Sequence, residues 1–200
     1  GTLVNAIELK GQRDNTIIVF VSYNGGFAGA ANMGQLRGSK SMTFEGGIRV
    51  PLIMDYPGLV KSGRTISEPV ISNDFYPTLL DLAGLPLEPK QHVDGVSLKP
   101  LLNKENQKLG REALYFHYPH YHHINSMGPS GAIRMGDYKL VIKYEDSSTE
   151  LYNLANDRAE KINLAPKRIG LVKQMKKKFD QWTASSGSLM PTLNRQYEGV

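Results

Sequence analysis

Cysteine is absent from the 200 residues of this sequence. Its absence excludes disulfides, thiolate metal sites and a cysteine nucleophile within the chain. Long hydrophobic runs are missing too, since no apolar stretch approaches the ~18 residues of a membrane helix. The first residues lack the charged-then-apolar order of a signal peptide. We therefore expect a globular chain without a membrane partner.

The charge balance shows no sign of a nucleic-acid partner. Lysine and arginine exceed aspartate and glutamate by 24 to 19, which gives a net charge of +5. Lys173 and the run 176–178 carry much of this excess. A basic run on one helix is typical of a solvated face, and no aromatic residues or nucleic-acid motif accompany it.

The first half of the chain has the pattern of an α/β layer. Residues 16–22, TIIVFVS, form a β-branched run typical of a strand buried on both faces of a parallel sheet. A glycine-rich loop over 24–47 leads to a second apolar strand at 48–54, in which Pro51 indicates an edge, a bulge or a break. A helix follows within 72–84. Strand, loop, strand and helix predict an α/β architecture.

The second half predicts a small antiparallel sheet covered by one helix. Four short runs separated by turn residues indicate about four strands. A helix over 166–183 carries an apolar stripe that should pack on this sheet. The runs are 113–117, 131–136, 138–144 and 149–154, and the stripe consists of Val172, Met175, Phe179 and Trp182.

Two polar residues of the glycine-rich loop could take part in chemistry. Asn24 follows the first strand and offers a carbonyl oxygen suited to a hard cation such as Ca²⁺. Lys40 offers an ammonium group that could face a tetrahedral oxyanion. Taken alone, an Asn-Gly-Gly sequence is more often a turn and a loop lysine is more often solvated, so both interpretations remain open.

A histidine cluster lies in the segment FHYPHYHHINS. It contains His117, His120, His122 and His123. Imidazole is a good transition-metal ligand, but no carboxylate or helical spacing organises these four residues into a metal site. Contact with a substrate and simple packing of the loop are the alternatives.

The ordered motifs resemble the C-terminal part of the formylglycine-dependent sulfatases, which belong to the alkaline phosphatase-like superfamily. The clearest are RGSKSMTFEGGIRVP at 37–51 and AIRMGDYKL at 132–140. The resemblance covers essentially the whole chain. It implies the end of an alkaline phosphatase-like α/β sandwich over 1–110, followed over 111–200 by a small four-stranded antiparallel sheet packed with a C-terminal helix and an extended tail.

The resemblance also implies roles for single residues. Lys40 matches the catalytic lysine that contacts sulfate, and Asn24 matches an asparagine that binds Ca²⁺. Tyr23 stands where the family has a second ligand, an aspartate, and a neutral phenol is a poor Ca²⁺ ligand. His117 or His120 would lie at the mouth of the active site and bind substrate.

Three further motif residues are interpreted as structural. Glu45 and Arg49 should support the loop by pairing with each other. Lys139 should act as a structural partner next to the turn residue Asp137.

The resemblance places the family nucleophile, which is made from a Cys or Ser in a Cys/Ser-x-Pro/Ala-x-Arg motif, in the N-terminal region of the family, and this sequence contains no cysteine. We therefore expect a sulfatase fragment that is inactive alone and needs a missing N-terminal portion of the same domain. Strand 16–22 would then expose an apolar edge and favour self-association. The resemblance implies a sulfated carbohydrate or aryl sulfate as substrate and a periplasmic or secreted protein.

Two other functions are compatible with the sequence. Tyr23 favours a metal-deficient pseudoenzyme or a module that binds sulfated glycans without cleaving them. A related hydrolase of phosphate or phosphonate esters is the third hypothesis, although the motif at 37–51 favours sulfate.

Overall fold

The computed structural model describes residues 1–60, 62–103, 107–123, 127–192, 194 and 196. Its chain forms two compact units. The first unit comprises Gly1–Tyr23 and Pro51–Arg111, and the second comprises Asn24–Val50 and Glu112–Val200. The glycine-rich loop thus groups with the C-terminal segment. The assignment of domains to 1–110 and 111–200 stays a prediction.

Helices and strands alternate along the first half of the chain, and strands dominate the second half. The helices are α1 (Thr2–Leu9), α2 (Glu45–Ile48), α3 (Phe75–Leu82), α4 (Lys99–Asn103) and α5 (Ile169–Ser185). The strands are β1 (Ile18–Val21), β2 (Leu52–Asp55), β3 (Leu114–Tyr118), β4 (Ser130–Met135), β5 (Tyr138–Lys143) and β6 (Thr149–Asn153). In the part of the chain that the structure describes, no helix is long and apolar enough to cross a membrane.

In the first unit, β1 and β2 form an antiparallel pair, whereas the sequence pattern indicated parallel neighbours. The apolar run identifies a strand, but it carries no information on the direction of its partner. Phe20 lies opposite Ile53, and these side chains are 63% and 60% exposed rather than buried. Self-association through this surface stays a prediction. The second strand was predicted over 48–54, but it is confined to Leu52–Asp55 after Pro51, and Glu45–Ile48 is helical instead.

The second unit contains a four-stranded antiparallel sheet in the order β3-β4-β5-β6, which confirms the predicted sheet. The predicted C-terminal helix is confirmed as α5. Met175 and Phe179 of α5 pack on one face of the sheet, where Ile133, Leu140 and Leu151 are fully buried. Burial of these apolar side chains holds the helix to the sheet.

The opposite face of the sheet packs against the glycine-rich loop. Alternate residues of a strand point to opposite faces, so Val141 and Tyr152 lie on the face that α5 does not cover. They form a second apolar cluster with Ala132, Leu154 and Phe44 of the loop. The loop that carries Asn24 and Lys40 therefore rests on a rigid sheet.

Candidate functional site

Lys40 occupies the corner of a tight turn. The N–H of Met42 donates to the carbonyl oxygen of Ser39 over 3.1 Å. Ser41 has a φ of 70°, the positive value that a type II turn requires at its third residue. The side chain of Lys40 is partly exposed at the second position of this turn.

The structure brings the two predicted site residues of the loop into neighbouring segments. The N–H of Lys40 donates to the carbonyl oxygen of Gly26 over 2.9 Å. Gly26 is only two residues beyond Asn24, which is partly buried. Asn24 and Lys40 therefore belong to one folded loop, and their roles in a common site stay a prediction.

Close backbone contacts explain the glycines of the EGG sequence. The N–H of Gly46 donates to the carbonyl oxygen of Arg37 over 2.7 Å. A Cβ atom on Gly46 would lie 2.2 Å from the carbonyl oxygen of Gly38, and one on Gly47 would lie 2.1 Å from that of Met42. Because both contacts involve backbone atoms, a side chain at either position would force the segments apart.

Glu45, Lys139, Glu160 and Arg49 form a charged cluster that we call the Glu45 anchor. Lys139 Nζ lies 3.0 Å from Glu45 Oε1 and 2.9 Å from Glu160 Oε1. Glu160 Oε2 also accepts the backbone N–H of Glu45 over 2.7 Å. Arg49 lies 3.2 Å from Glu45 Oε2, which confirms the expected pairing of these two residues. The structural role expected for Lys139 is confirmed as well.

Three of the four charged residues of the Glu45 anchor are almost completely removed from water. Exposure is 0% for Lys139, 1% for Glu160 and 3% for Glu45. Burial raises the pKa of Glu160, and the nearby ammonium of Lys139 and the N–H of Glu45 oppose this effect. Buried charges of this kind are tolerated only when they are paired, so the cluster acts as a unit.

Arg37, Phe44, Glu150 and Tyr152 form a second cluster, the Arg37 anchor. The guanidinium carbon lies 3.7 Å from the centre of the Phe44 ring. Arg37 Nη1 donates to Glu150 Oε2 over 2.9 Å and to the Tyr152 hydroxyl over 2.6 Å. Charge-assisted bonds and the stacked ring thus fix the loop to β6.

The two anchors lie on either side of Lys40 in the sequence. Arg37 is three residues before it and Glu45 is five residues after it. Arg37 contacts residues of β6, and Glu45 contacts Lys139 of β5 and Glu160, which follows the sheet. The backbone of the Lys40 turn is therefore held on both sides, and the partly exposed side chain carries an ammonium group, which is suited to a tetrahedral anion.

Glu150 should make the stability of the Arg37 anchor depend on pH. Burial raises the pKa of Glu150, but hydrogen bonds from Lys143, Tyr152 and Arg37 outweigh it, so this pKa lies below its ordinary value of 4.5. Glu150 therefore stabilises the fold above pH 4.5, and this contribution is lost as the pH falls through the lowered pKa.

We expect Glu150→Gln to lower the free energy of unfolding at pH 7 by about 1.5–3 kcal/mol, the usual contribution of hydrogen bonds to a charged group. Urea unfolding of both proteins should show this difference shrinking below pH 4.5. Glu112→Gln is the control, since Glu112 is 68% exposed in its pair with Lys178. A difference that stays constant between pH 7 and pH 3 would contradict the assigned role.

The residues present do not fit a Ca²⁺ site by themselves. Tyr23 belongs to the first unit and is 83% exposed, and its phenol carries no charge to offer a cation. Asn24 could supply one oxygen ligand. Among the described residues, no group of three or more His, Cys, Asp and Glu side chains could hold a metal ion. Residues 124–126, at the end of the histidine-rich segment, lie outside the described part.

The ring of His117 is engaged within the second unit. Its Nδ1 lies 2.7 Å from the Tyr144 hydroxyl, and its Nε2 lies 3.0 Å from the carbonyl oxygen of Leu189. Burial raises the pKa of Tyr144. The hydroxyl therefore stays protonated and can donate a hydrogen bond to Nδ1 of His117. Nε2 lies within hydrogen-bond distance of the carbonyl oxygen of Leu189, which can only accept, so Nε2 is the donor in this contact.

His120 contacts the edge of the Tyr118 ring, with the ring centres 5.5 Å apart. His122 stacks on His123 at 4.6 Å. The substrate-binding role of His117 and His120 stays a prediction. For His117, this role would require the Tyr144 or Leu189 hydrogen bond to break.

Sequence reasoning missed two parts of the site. Arg37 could have been found, since it opens the same motif as Lys40. Glu160 follows the sheet at a position with a φ of 52°, in a segment without helical or strand periodicity. No pattern in the sequence around Glu160 points to its buried contact with Glu45.

Comparison with known proteins identifies the family. Residues 38–185 match the family model described as N-sulphoglucosamine sulphohydrolase, C-terminal. A sulfatase from Formosa agariphila is 39% identical over 91% of this chain and 37% of its own length. An N-acetylglucosamine-6-O-sulfatase from Bacteroides thetaiotaomicron is 37% identical over 82% of this chain and 29% of its own length. The chain thus spans about a third of the length of these curated relatives.

Solved structures agree with the sequence comparisons. The crystal structure of Ps i-CgsB has a TM-score of 0.80 and 34% identity, and the match covers 92% of this chain and 40% of that one. The structure of BT4656 in complex with its substrate D-glucosamine-2-N,6-O-disulfate has a TM-score of 0.73 and 31% identity, covering 96% of this chain and 38% of that one. This chain therefore belongs to the sulfatase family and corresponds to its C-terminal part.

Proposed function

We propose that this chain forms the part of a carbohydrate sulfatase that brings Lys40 to the sulfate group of the substrate. The observation that carries the proposal is the anchoring of the Lys40 turn on both sides, which fixes the backbone from which the Lys40 side chain extends. Two similar proteins support a sugar substrate, namely the N-acetylglucosamine-6-O-sulfatase and the structure that binds D-glucosamine-2-N,6-O-disulfate.

In this proposal Lys40 binds and orients the sulfate ester. Its ammonium donates to a non-bridging sulfate oxygen, and it stabilises the negative charge that grows as the sulfur–oxygen bond to the sugar breaks. The two anchors reduce the reorganisation that this contact requires. Turnover requires a nucleophile that this cysteine-free chain does not supply, so we propose that the chain alone is inactive.

A metal-deficient protein that binds sulfated glycans without cleaving them is the second candidate, and Tyr23 favours it. In a sulfatase, Ca²⁺ would need a carboxylate at this position, and Asn24 alone does not replace it. Replacing Tyr23 with aspartate in an expressed product that contains this chain separates the two proposals. Recovery of Ca²⁺ binding and turnover would show that Tyr23 blocks activity.

The test begins by sequencing the coding DNA upstream of the Gly1 codon and across the Tyr23 codon. The product of that reading frame is then assayed for release of sulfate from D-glucosamine-2-N,6-O-disulfate and of phosphate from glucosamine 6-phosphate. Sulfate release with little phosphate release is expected. Preferred phosphate release would overturn the proposal, and binding of the disulfate without turnover would favour the second candidate. By family resemblance we propose a periplasmic or secreted protein, which cell fractionation tests.

A further inference from the structure

Backbone contacts connect the Glu45 anchor with the turn that carries Lys40. The short helix α2 starts at Glu45 and contains Gly46 and Gly47. A Cβ atom on Gly47 would lie 2.5 Å from the carbonyl oxygen of Ser39 and 2.1 Å from that of Met42. These two carbonyls belong to the first and last residues of the Lys40 turn, so α2 is pressed directly against it.

A second connection secures the other end of α2. The N–H of Gly25 donates to the carbonyl oxygen of Gly47 over 2.8 Å, and Gly26 accepts the N–H of Lys40. The segment after Asn24 is therefore fixed between α2 and Lys40. A shift of α2 would move the backbone around Lys40 from both sides.

The position of α2 depends in turn on Lys139 and Glu160. A helix of four residues has few hydrogen bonds of its own, and its first N–H groups need outside acceptors. Glu160 accepts the N–H of Glu45, while Lys139 forms ion pairs with both carboxylates. Lys139 lies in β5, which is central in the sheet and is buried on both faces. The contacts thus extend from a rigid strand to the Lys40 turn.

We propose that Lys139 and Glu160 are positioning residues for Lys40, acting through Glu45 and the glycines of α2. This inference rests on the proposed role of Lys40 in binding sulfate. It assigns a function to the AIRMGDYKL motif, whose lysine touches no substrate itself but sets the place of the lysine that does. A purely structural role would predict general loss of stability without a specific effect at Lys40.

Amide hydrogen exchange of this chain, followed by NMR, tests the connection. Glu160→Gln keeps the size of the side chain and removes its charge. It should speed exchange of the Lys40, Gly46 and Gly47 amides by about ten- to a hundredfold, as expected when a charge-assisted contact is lost. The Val141 amide in β5 should keep its protection.

Leu140→Ala is the matched control. Leu140 is the neighbour of Lys139 in β5, but it is buried on the face that packs against α5. The variant lowers the stability of the same unit without touching the loop. If it speeds exchange at Lys40 as much as Glu160→Gln does, the anchor has no specific effect and the proposal is overturned. If Glu160→Gln does not fold, Arg49→Met takes its place in the comparison with Leu140→Ala. This variant removes only one partner of Glu45, the side chain of Arg49, which is 40% exposed.

A titration with D-glucosamine-2-N,6-O-disulfate supplies the functional readout. In Glu160→Gln, about fivefold more ligand than in the wild type should be needed to reach half of the full shift of the Lys40 resonances. Leu140→Ala should need the same ligand concentration as the wild type. Equal affinity in all three proteins would overturn the positioning role. If the wild-type Lys40 resonances do not respond to the disulfate, the proposed function of Lys40 fails. The exchange data would then still decide whether Lys139 and Glu160 fix the loop.

Discussion

Replacement of Lys139 with methionine is expected to lower the free energy of unfolding by about 3–5 kcal/mol, the usual cost of breaking a buried ion pair. The ammonium is completely buried between Glu45 and Glu160. Without it, two carboxylates share a site from which water is excluded, and one of them must take up a proton. Methionine fills a similar volume, so little of the loss should come from a cavity.

Urea unfolding followed by tryptophan fluorescence measures this loss. Trp182 is the single tryptophan and stacks on Tyr115 with the ring centres 4.8 Å apart. The control is Lys143→Met in the same strand, where the ion pair with Glu150 is partly exposed, and we expect a loss of at most ~1 kcal/mol. Adding Glu160→Gln to the Lys139→Met variant should restore part of the stability. Equal losses for the two lysines would contradict a special role of Lys139.

Replacement of Lys40 with alanine should lower kcat about 10²- to 10³-fold in the sulfate-hydrolysing product that contains this chain. This is the usual effect of removing one preorganised group that stabilises negative charge in the transition state. The effect on the fold should be small, because the Lys40 side chain is partly exposed and backbone hydrogen bonds, which alanine keeps, hold the turn.

Rates of sulfate release test this prediction, with unfolding curves as a check on the fold. Lys40→Arg should retain part of the activity, since a planar guanidinium keeps the charge but changes the geometry. Lys10→Ala is the control, because Lys10 is an exposed lysine beside α1. A raised KM at unchanged kcat would limit Lys40 to ground-state binding and contradict its transition-state role.

Local patterns predicted the second unit well. Strand periodicity and turn residues identify β3 to β6, and the stripe of Met175 and Phe179 identifies the face of α5 that packs on them. Each of these signals lies within a few neighbouring residues. The motif around Lys40 likewise predicted the pairing of Glu45 with Arg49, four residues apart.

Contacts between distant segments were beyond sequence reasoning. Arg37 and Glu150 are 113 residues apart, and Glu45 and Lys139 are 94 residues apart. No local periodicity shows which buried charged residues will form ion pairs with each other. The antiparallel partner of β1 was missed for the same reason, because an apolar run predicts burial and not the direction of the neighbouring strand.

The distances along the chain between the anchors and their partners have a consequence for synthesis. At about 5–20 residues per second, the segment from Arg37 to Glu45 leaves the ribosome roughly 5–20 seconds before Glu150 does. During that interval the partners of Arg37 in β6 have not yet left the ribosome, and neither has Glu160, which accepts the N–H of Glu45. Closing loops of this length is entropically costly until β5 and β6 have formed. We therefore expect the turn that carries Lys40 to reach its final shape only after β5 and β6 have formed, well after its own residues are made.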